Sequence, residues 1–328
     1  MSKQRHLTIA RLKEILRRQD PPKWGPDYEP AIRATREEAP PSSRPAMAWS
    51  TKFQRHCHVL SAGELTVLFI ALNHPSLFEL QEQRMLCTEP RPHPLVSHPL
   101  AIGMNLPELR GTVDVAQRLD FLRLHPRVFV TDPGSQAKLP VPFPWIGDFL
   151  LFLSDAGGPY CVNWTVKNTE DDFNHSFRKD RPVRDPKGDE LEARARHAIE
   201  DIYYQDAGIR TVRITLRDVP KTLQINLRNL FTWHAREITV PDEVKAEIVE
   251  RLRASIQTGQ APLEILLSIR QRHGHELHDL KAVFFQAVWN RLIRVDLINE
   301  PILVDRPLKP ETTDIIVLFA HWFTRGEV

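Results

Sequence analysis

The chain has 328 residues, 41% hydrophobic and 26% charged, with 44 Lys+Arg against 42 Asp+Glu for a net charge of +2. These proportions exclude wholesale disorder, and the length suggests two domains at roughly 100–200 residues each. No run reaches the roughly 18 apolar residues of a membrane span. The N-terminus MSKQRHLTIARLKEILRRQD lacks the apolar core of a secretory signal. Cys57, Cys87 and Cys161 are too few and scattered for a disulfide framework or a zinc ribbon. The protein reads as soluble, cytoplasmic and reduced, with loops stiffened by 27 Pro against 13 Gly.

In chain order, 1–52 is a basic N-terminal arm. Residues 1–55 hold 12 Lys+Arg against 6 Asp+Glu, a local net of +6 against +2 for the whole chain. Such an arm suits phosphate, since Lys and Arg neutralise backbone charge and release counterions. Read as a solvated tail, it carries one short helix over 7–18. Residues 53–240 read as an α/β domain. His56 and His58 share a strand face with Cys57 opposite, too few ligands for a structural metal. Leu65, Leu68, Phe69 and Leu72 predict a helix over 63–73. Ser61 is its N-cap, with Glu64 three residues on as a capping box requires. Residues 89–144 form a Pro-rich insertion, where PRPHPLVSHP and PVPFPW exclude regular helix and central strand. A short helix fits at 112–124.

A strand pair follows. The apolar run after Asp148 and the stretch 160–167 flank Asp155-Ala-Gly-Gly, a hairpin turn. Alternation puts Tyr160, Val162, Trp164 and Val166 on one face and Cys161, Asn163, Thr165 and Lys167 on the other. Core packing is the default role of Trp145 and Trp164. Arg178, Lys179, Arg181, Arg184 and Lys187 make the next loop basic, as a phosphate neighbour or a solvated loop. A helix over 189–207 buries Leu191, Ala195, Ala198, Ile199, Ile202 and Tyr203, and RTVRITL is the next strand. This order gives a mixed sheet flanked by helices. Residues 241–328 read as a mostly helical domain: three helices, then a hairpin of 294–297 and 302–305 around Asn299-Glu-Pro. That is a winged-helix-like outline. His273, His275 and His278 read there as solvated or capping groups.

The chain has no Walker A loop, GxGxxG, HExxH or GxSxG, so nucleotide-driven, nicotinamide-dependent and lipase-like readings lack support. The positive signal is Glu64, Asp148 and Lys167. In antiparallel pairing the start of one strand lies beside the end of its partner, so Asp148 and Lys167 meet at one sheet edge. Two carboxylates hold a hard divalent cation such as Mg²⁺, and a nearby Lys can orient or deprotonate an attacking water. Metal-assisted phosphodiester hydrolysis needs little more.

At these residues the chain resembles the TnsA family, the endonuclease subunits of heteromeric bacterial transposases. The resemblance is carried by Glu64 in SAGELTVLFIALNHP, Asp148 in WIGDFLLFL and Lys167 in VNWTVKNTEDDF. ELEARARHAIEDIYYQDAGI running into RTVRITL matches the next two family elements. It covers about residues 53–235 and the C-terminal domain in outline. It implies a restriction-endonuclease-like nuclease domain followed by a winged-helix interaction domain. It implies catalytic Glu64, Asp148 and Lys167, with Mg²⁺, or Mn²⁺ in its place, on Glu64, Asp148 and the backbone carbonyl of Val166. The activity implied is cleavage of the 5′, non-transferred strands at mobile-element ends in DNA transposition. The partners implied are double-stranded DNA at those ends, an RNase H-like (TnsB-type) transposase and an ATPase regulator (TnsC-type). Thr165 stands where the wider superfamily usually places Glu or Gln, and can serve only as a supporting hydroxyl. Glu79 and Glu82 compete with Glu64, but lie off the helix. Two rivals use the same residues: a stand-alone restriction or repair-type nuclease, and a non-catalytic DNA-binding or assembly scaffold.

Overall fold

The computed structural model describes residues 7–41, 43–175 and 185–326. Packing divides the chain into two compact units. One comprises Met1–Leu65, Ser76–Leu216 and His321–Val328; the other comprises Thr66–Pro75 and Arg217–Ala320.

The first unit is built on a mixed four-stranded sheet. Its strands β3 (Leu77–Glu82), β6 (Phe149–Asp155), β7 (Gly158–Lys167) and β8 (Arg210–Thr215) lie in that order. β3–β6 and β6–β7 pair antiparallel and β7–β8 pair parallel. A parallel pair needs a crossover, and helix α4 (Pro186–Gln205) lies within it. Phe149, Leu150, Leu151, Phe152 and Leu153 are all buried, as a strand covered on both faces should be. Leu150, Phe152 and Cys161 share one core with Ile199, Tyr203 and Tyr204 of α4. The other face of β7 is covered by the C-terminal return, where the rings of Trp322 and Phe323 meet Trp164 edge-on at 5.9 and 5.1 Å. Trp164 Nε1 donates to Trp322 O (2.8 Å) and Tyr160 Oη to Phe323 O (2.9 Å).

The Pro-rich insertion belongs to this unit. Its helix α3 (Thr112–Arg118) stops six residues short of the expected end, followed by a 3₁₀ turn. Val115 and Ala116 join the core of α4. β4 (Arg127–Thr131) pairs with β5 (Lys138–Pro142) in a separate two-stranded ribbon. Pro140 and Pro142 are accommodated there as they would not be in a central strand.

The basic arm is neither a solvated tail nor a free cationic element over its described residues. Helix α1 (Ile9–Gln19) buries Ile15 against Ala31, Met85, Val128 and Phe143. Several of the arm's cations face acids of the arm itself. Arg11 and Arg18 pair with Glu38 (3.0 and 2.6 Å), and Lys23 and Arg33 with Glu29 (2.8 and 2.7 Å). The arm leads into a hairpin of β1 (Ala46–Ser50) and β2 (Arg55–Val59). Helix α2 (Ala62–Leu72) follows, and its start, with Glu64, belongs to the first unit.

The second unit is helical. Residues 217–240, expected to close the nuclease domain, instead carry α5 (Lys221–Trp233), which packs on α8 (Leu277–Trp289). α6 (Asp242–Thr258), α7 (Pro262–His273) and the short α9 (Ile315–Leu318) complete it. The three expected helices form, but the hairpin of 294–297 with 302–305 does not. Val295 instead bridges Pro310. The ladder groups are diverted: Asn226 donates to Leu297 O and Glu300 O (both 2.9 Å) and accepts from Ile302 N (2.9 Å). The Asp296 carboxylate takes the N–H of Ile298 and of Asn299. Among the described residues no helix is long and apolar enough to cross a membrane.

Candidate functional site

Asp148 stands immediately before β6, where the β6–β7 register ends at Phe149 opposite Trp164. Its side chain continues the ladder. Oδ2 accepts from Val166 N at 2.7 Å, while its backbone oxygen accepts from Gln83 N at 2.9 Å. Asp148 is thereby fixed from the strands on both sides.

Glu64 is buried in the first turn of α2. Half of the expected capping box forms, with Glu64 N donating to Ser61 Oγ (3.1 Å). The Glu64 carboxylate does not return to Ser61 N. Its Oε2 accepts from Leu60 N (2.8 Å) and from Gln83 Nε2 (3.0 Å). Burial, and then the charge of Asp148, push its carboxyl up to about 7, against the opposing pull of Lys167. A like charge beside a buried carboxylate favours its protonated form. The charges of Asp148 and Lys167 thus both act on the Glu64 carboxyl. Lys167 is half-buried at the end of β7, its backbone paired with Thr215.

Thr165 does not stand alone in place of a carboxylate. It is buried, and its hydroxyl donates to Glu200 Oε1 at 3.3 Å. Asn163, two residues earlier on the same face, donates to the same oxygen at 3.2 Å. Glu200, on α4, is fully enclosed, and burial and the Asp148 charge raise its carboxyl above the ordinary value. Gly147 permits this approach, since a Cβ there would stand 3.3 Å from Glu200 Oε1 and 3.2 Å from Leu86 Cδ1. Asp148 thus neighbours two buried carboxyls from two helices.

Sequence reading missed Glu200 and Gln83. The signal for Glu200 was its place among apolar residues on the inner stripe of α4. That stripe passes through Ala193, His197, Glu200 and Tyr204, whereas Leu191, expected inside, is 48% exposed. Glu79 and Glu82, the competitors of Glu64, are committed elsewhere, to Arg55 at 3.7 and 2.8 Å. Trp164 is a core residue, and Trp145 packs against the His125 ring at 4.5 Å in a tilted arrangement. Cys57 is buried and His58 Nδ1 accepts from Ala34 N (3.0 Å), so neither is offered to a metal. Of the basic loop, Arg178, Lys179, Arg181 and Arg184 lie outside the described residues, and Lys187 is exposed in the first turn of α4.

Among the described residues no three His, Cys, Asp or Glu side chains form a ready-made metal cage. The donor chemistry fits a hard cation that keeps much of its water, for which one or two carboxylates suffice. The mutual charge of Glu64 and Asp148, already costly to the pair, is what such an ion would relieve.

A pH experiment reads this directly. Because the folded chain holds the Glu64 proton more tightly, stability is greatest below the ordinary carboxyl value and falls as pH rises to about 7. Glu64→Gln is expected to flatten that slope between pH 5 and 8 in metal-free buffer. Thermal denaturation of both proteins in EDTA measures it; parallel slopes would place the titration at another group.

In comparisons with known proteins, no family model and no curated protein matches the chain.

Proposed function

We propose that the chain is a divalent-metal-dependent DNA endonuclease, the subunit of a heteromeric bacterial transposase that cleaves the 5′ strands at mobile-element ends. What supports this reading is the convergence of helix-borne Glu64, strand-opening Asp148 and strand-ending Lys167, with the Asp148 charge acting on Glu64. Mg²⁺ or Mn²⁺, when bound, would supply Lewis-acid polarisation of the scissile phosphate. Glu64 and Asp148 would hold it, with the carbonyl of Val166 as a further oxygen. Glu200, held by Thr165 and Asn163, stands behind Thr165 as a buried carboxyl that would steady the strand bearing Lys167. Lys167 orients the attacking water or takes its proton. On this reading the nuclease domain is restriction-endonuclease-like, and the helical second unit engages the RNase H-like transposase, the ATPase regulator or DNA in the bacterial cytoplasm.

Calorimetry with Mn²⁺ and Mg²⁺ on the full chain and on Asp148→Ala, without and with DNA, tests the site. Binding is expected in the first protein and lost in the second, with both folded by circular dichroism. Equal binding would put the ion elsewhere. Thr165 favours one second reading, an assembly scaffold whose nuclease has decayed. That reading expects DNA binding indifferent to divalent ions.

A further inference from the structure

Gln83 follows β3 with a left-handed backbone, φ +48°, in a region where non-glycine residues are uncommon. It is buried. Its N–H donates to the carbonyl of Asp148 (2.9 Å), and its side-chain amide donates to Glu64 Oε2 (3.0 Å). Its own carbonyl accepts from Ala31 N (2.9 Å) and Gln19 Nε2 (3.4 Å). One residue therefore touches the backbone of one site carboxylate, the side chain of the other, and the N-terminal arm.

The arm grips this turn at a second point. Gln19 Oε1, at the end of α1, accepts from Met85 N at 2.7 Å. The Gln19 amide also reaches Tyr28 Oη (3.0 Å) and Glu29 O (3.1 Å), so Gln19 is itself fixed within the arm. A sparsely populated backbone conformation persists only where its surroundings over-determine it, and the arm provides those surroundings. Were φ to relax to the extended region, the amide of Gln83 would swing away from Glu64.

We propose that Gln83 is a positioning residue through which the N-terminal arm sets Glu64 against Asp148, with Gln19 as its anchor. The inference rests on reading Glu64 and Asp148 as one site. It gives the arm a role in the site that its surplus of positive charge does not suggest.

The test uses the full chain. Gln83→Asn tolerates the left-handed backbone but shortens the amide beyond reach of Glu64. Gln19→Ala removes the anchor, and Arg17→Ala, on the exposed side of α1, is the control. In ¹⁵N-labelled protein the Gln83 side-chain amide signal, identified by its loss in Gln83→Asn, is expected to shift on Glu64→Ala and on Gln19→Ala. Mn²⁺ affinity is expected to fall about tenfold in Gln83→Asn and in Gln19→Ala, as when a partner behind a metal ligand is removed. The double variant should lose no more than either single one, because both act through one contact. Circular dichroism confirms that each is folded. An amide signal indifferent to Glu64→Ala, or fully additive losses, would overturn the proposal. A responsive amide in a chain that binds no Mn²⁺, even with DNA, would support the positioning link and overturn the metal reading.

Discussion

On the proposed nuclease reading, Lys167→Ala is expected to keep the fold and the divalent ion while strand cleavage falls by roughly 10²–10⁴-fold, the range for a positioned acid–base group. The fold survives because Lys167 meets β8 through its backbone, and its side chain is half-buried at the strand end. The ion is retained because Lys167 is a cation beside the carboxylates. Removing it takes a positive charge away from the carboxylates, so once they are ionised Mn²⁺ meets less repulsion there. Lys167 holds the Glu64 carboxyl down against burial and the Asp148 charge, so Lys167→Ala also moves the Glu64 titration upward. Lys167→Arg separates two roles: a guanidinium keeps the charge but does not give up its proton near neutral pH. An arginine enzyme close to wild type assigns Lys167 to charge and orientation, and one as slow as alanine assigns it to proton transfer. The assay is nicking of a plasmid carrying the element ends, with the partner transposase present and Mn²⁺ binding followed in parallel. Unimpaired cleavage by Lys167→Ala would remove Lys167 from the mechanism.

The legible parts of this site were those whose partners lie within one hairpin or one helical turn. The Asp155-Ala-Gly-Gly turn fixes the β6–β7 register, and that register brings Asp148 to the end of β7. Ser61 and Glu64 announce the start of α2 by their spacing, although the carboxylate caps Leu60 N instead of Ser61 N. Glu200 was hidden because a periodicity reading collects apolar residues and passes over a carboxylate among them. Its burial makes sense only with Thr165 and Asn163 as donors from a strand far away in sequence. The arm misled by composition. A count of Lys and Arg registers charge but not the fact that Arg11 and Arg18 both face Glu38. The missing hairpin failed through Asn226, whose claim on Leu297 and Glu300 no local pattern reveals. In each case a long-range polar contact overrode a sound local expectation.

Arg55→Met is expected to destabilise the chain by about 3–5 kcal/mol, as when one member of a buried ion pair is removed and the other is left uncompensated. Arg55 opens β2 and is 6% exposed; Glu79 and Glu82 of β3 are 3% and 0% exposed. The guanidinium bonds Glu82 Oε1 at 2.8 Å, lies 3.7 Å from Glu79 Oε1, and sits over the Tyr28 ring at 4.7 Å. Methionine matches much of its volume, so the loss is electrostatic in the main rather than a cavity. Urea denaturation measures it. Glu82→Gln added to Arg55→Met should recover part of the loss by removing the stranded charge, and that non-additivity separates a charge effect from lost packing. The bond that Glu82 Oε1 accepts from His58 N at 2.9 Å is one an amide oxygen can keep, and recovery is bounded because Glu79 is still left without Arg55. A cost below about 1 kcal/mol would mean that water reaches the pair and that it behaves as a surface bridge. The same network holds the arm, since Tyr28 Oη donates to Glu82 O (2.7 Å) and Gly25 N to Glu79 Oε2 (2.5 Å). Arg55→Met should therefore loosen the arm before the sheet melts and lower Mn²⁺ affinity along with stability. Arm docking, in this molecule, joins the buried Arg55–Glu82 pair of β2 and β3 to Gln83, one residue beyond Glu82, and through Gln83 to Glu64 and Asp148.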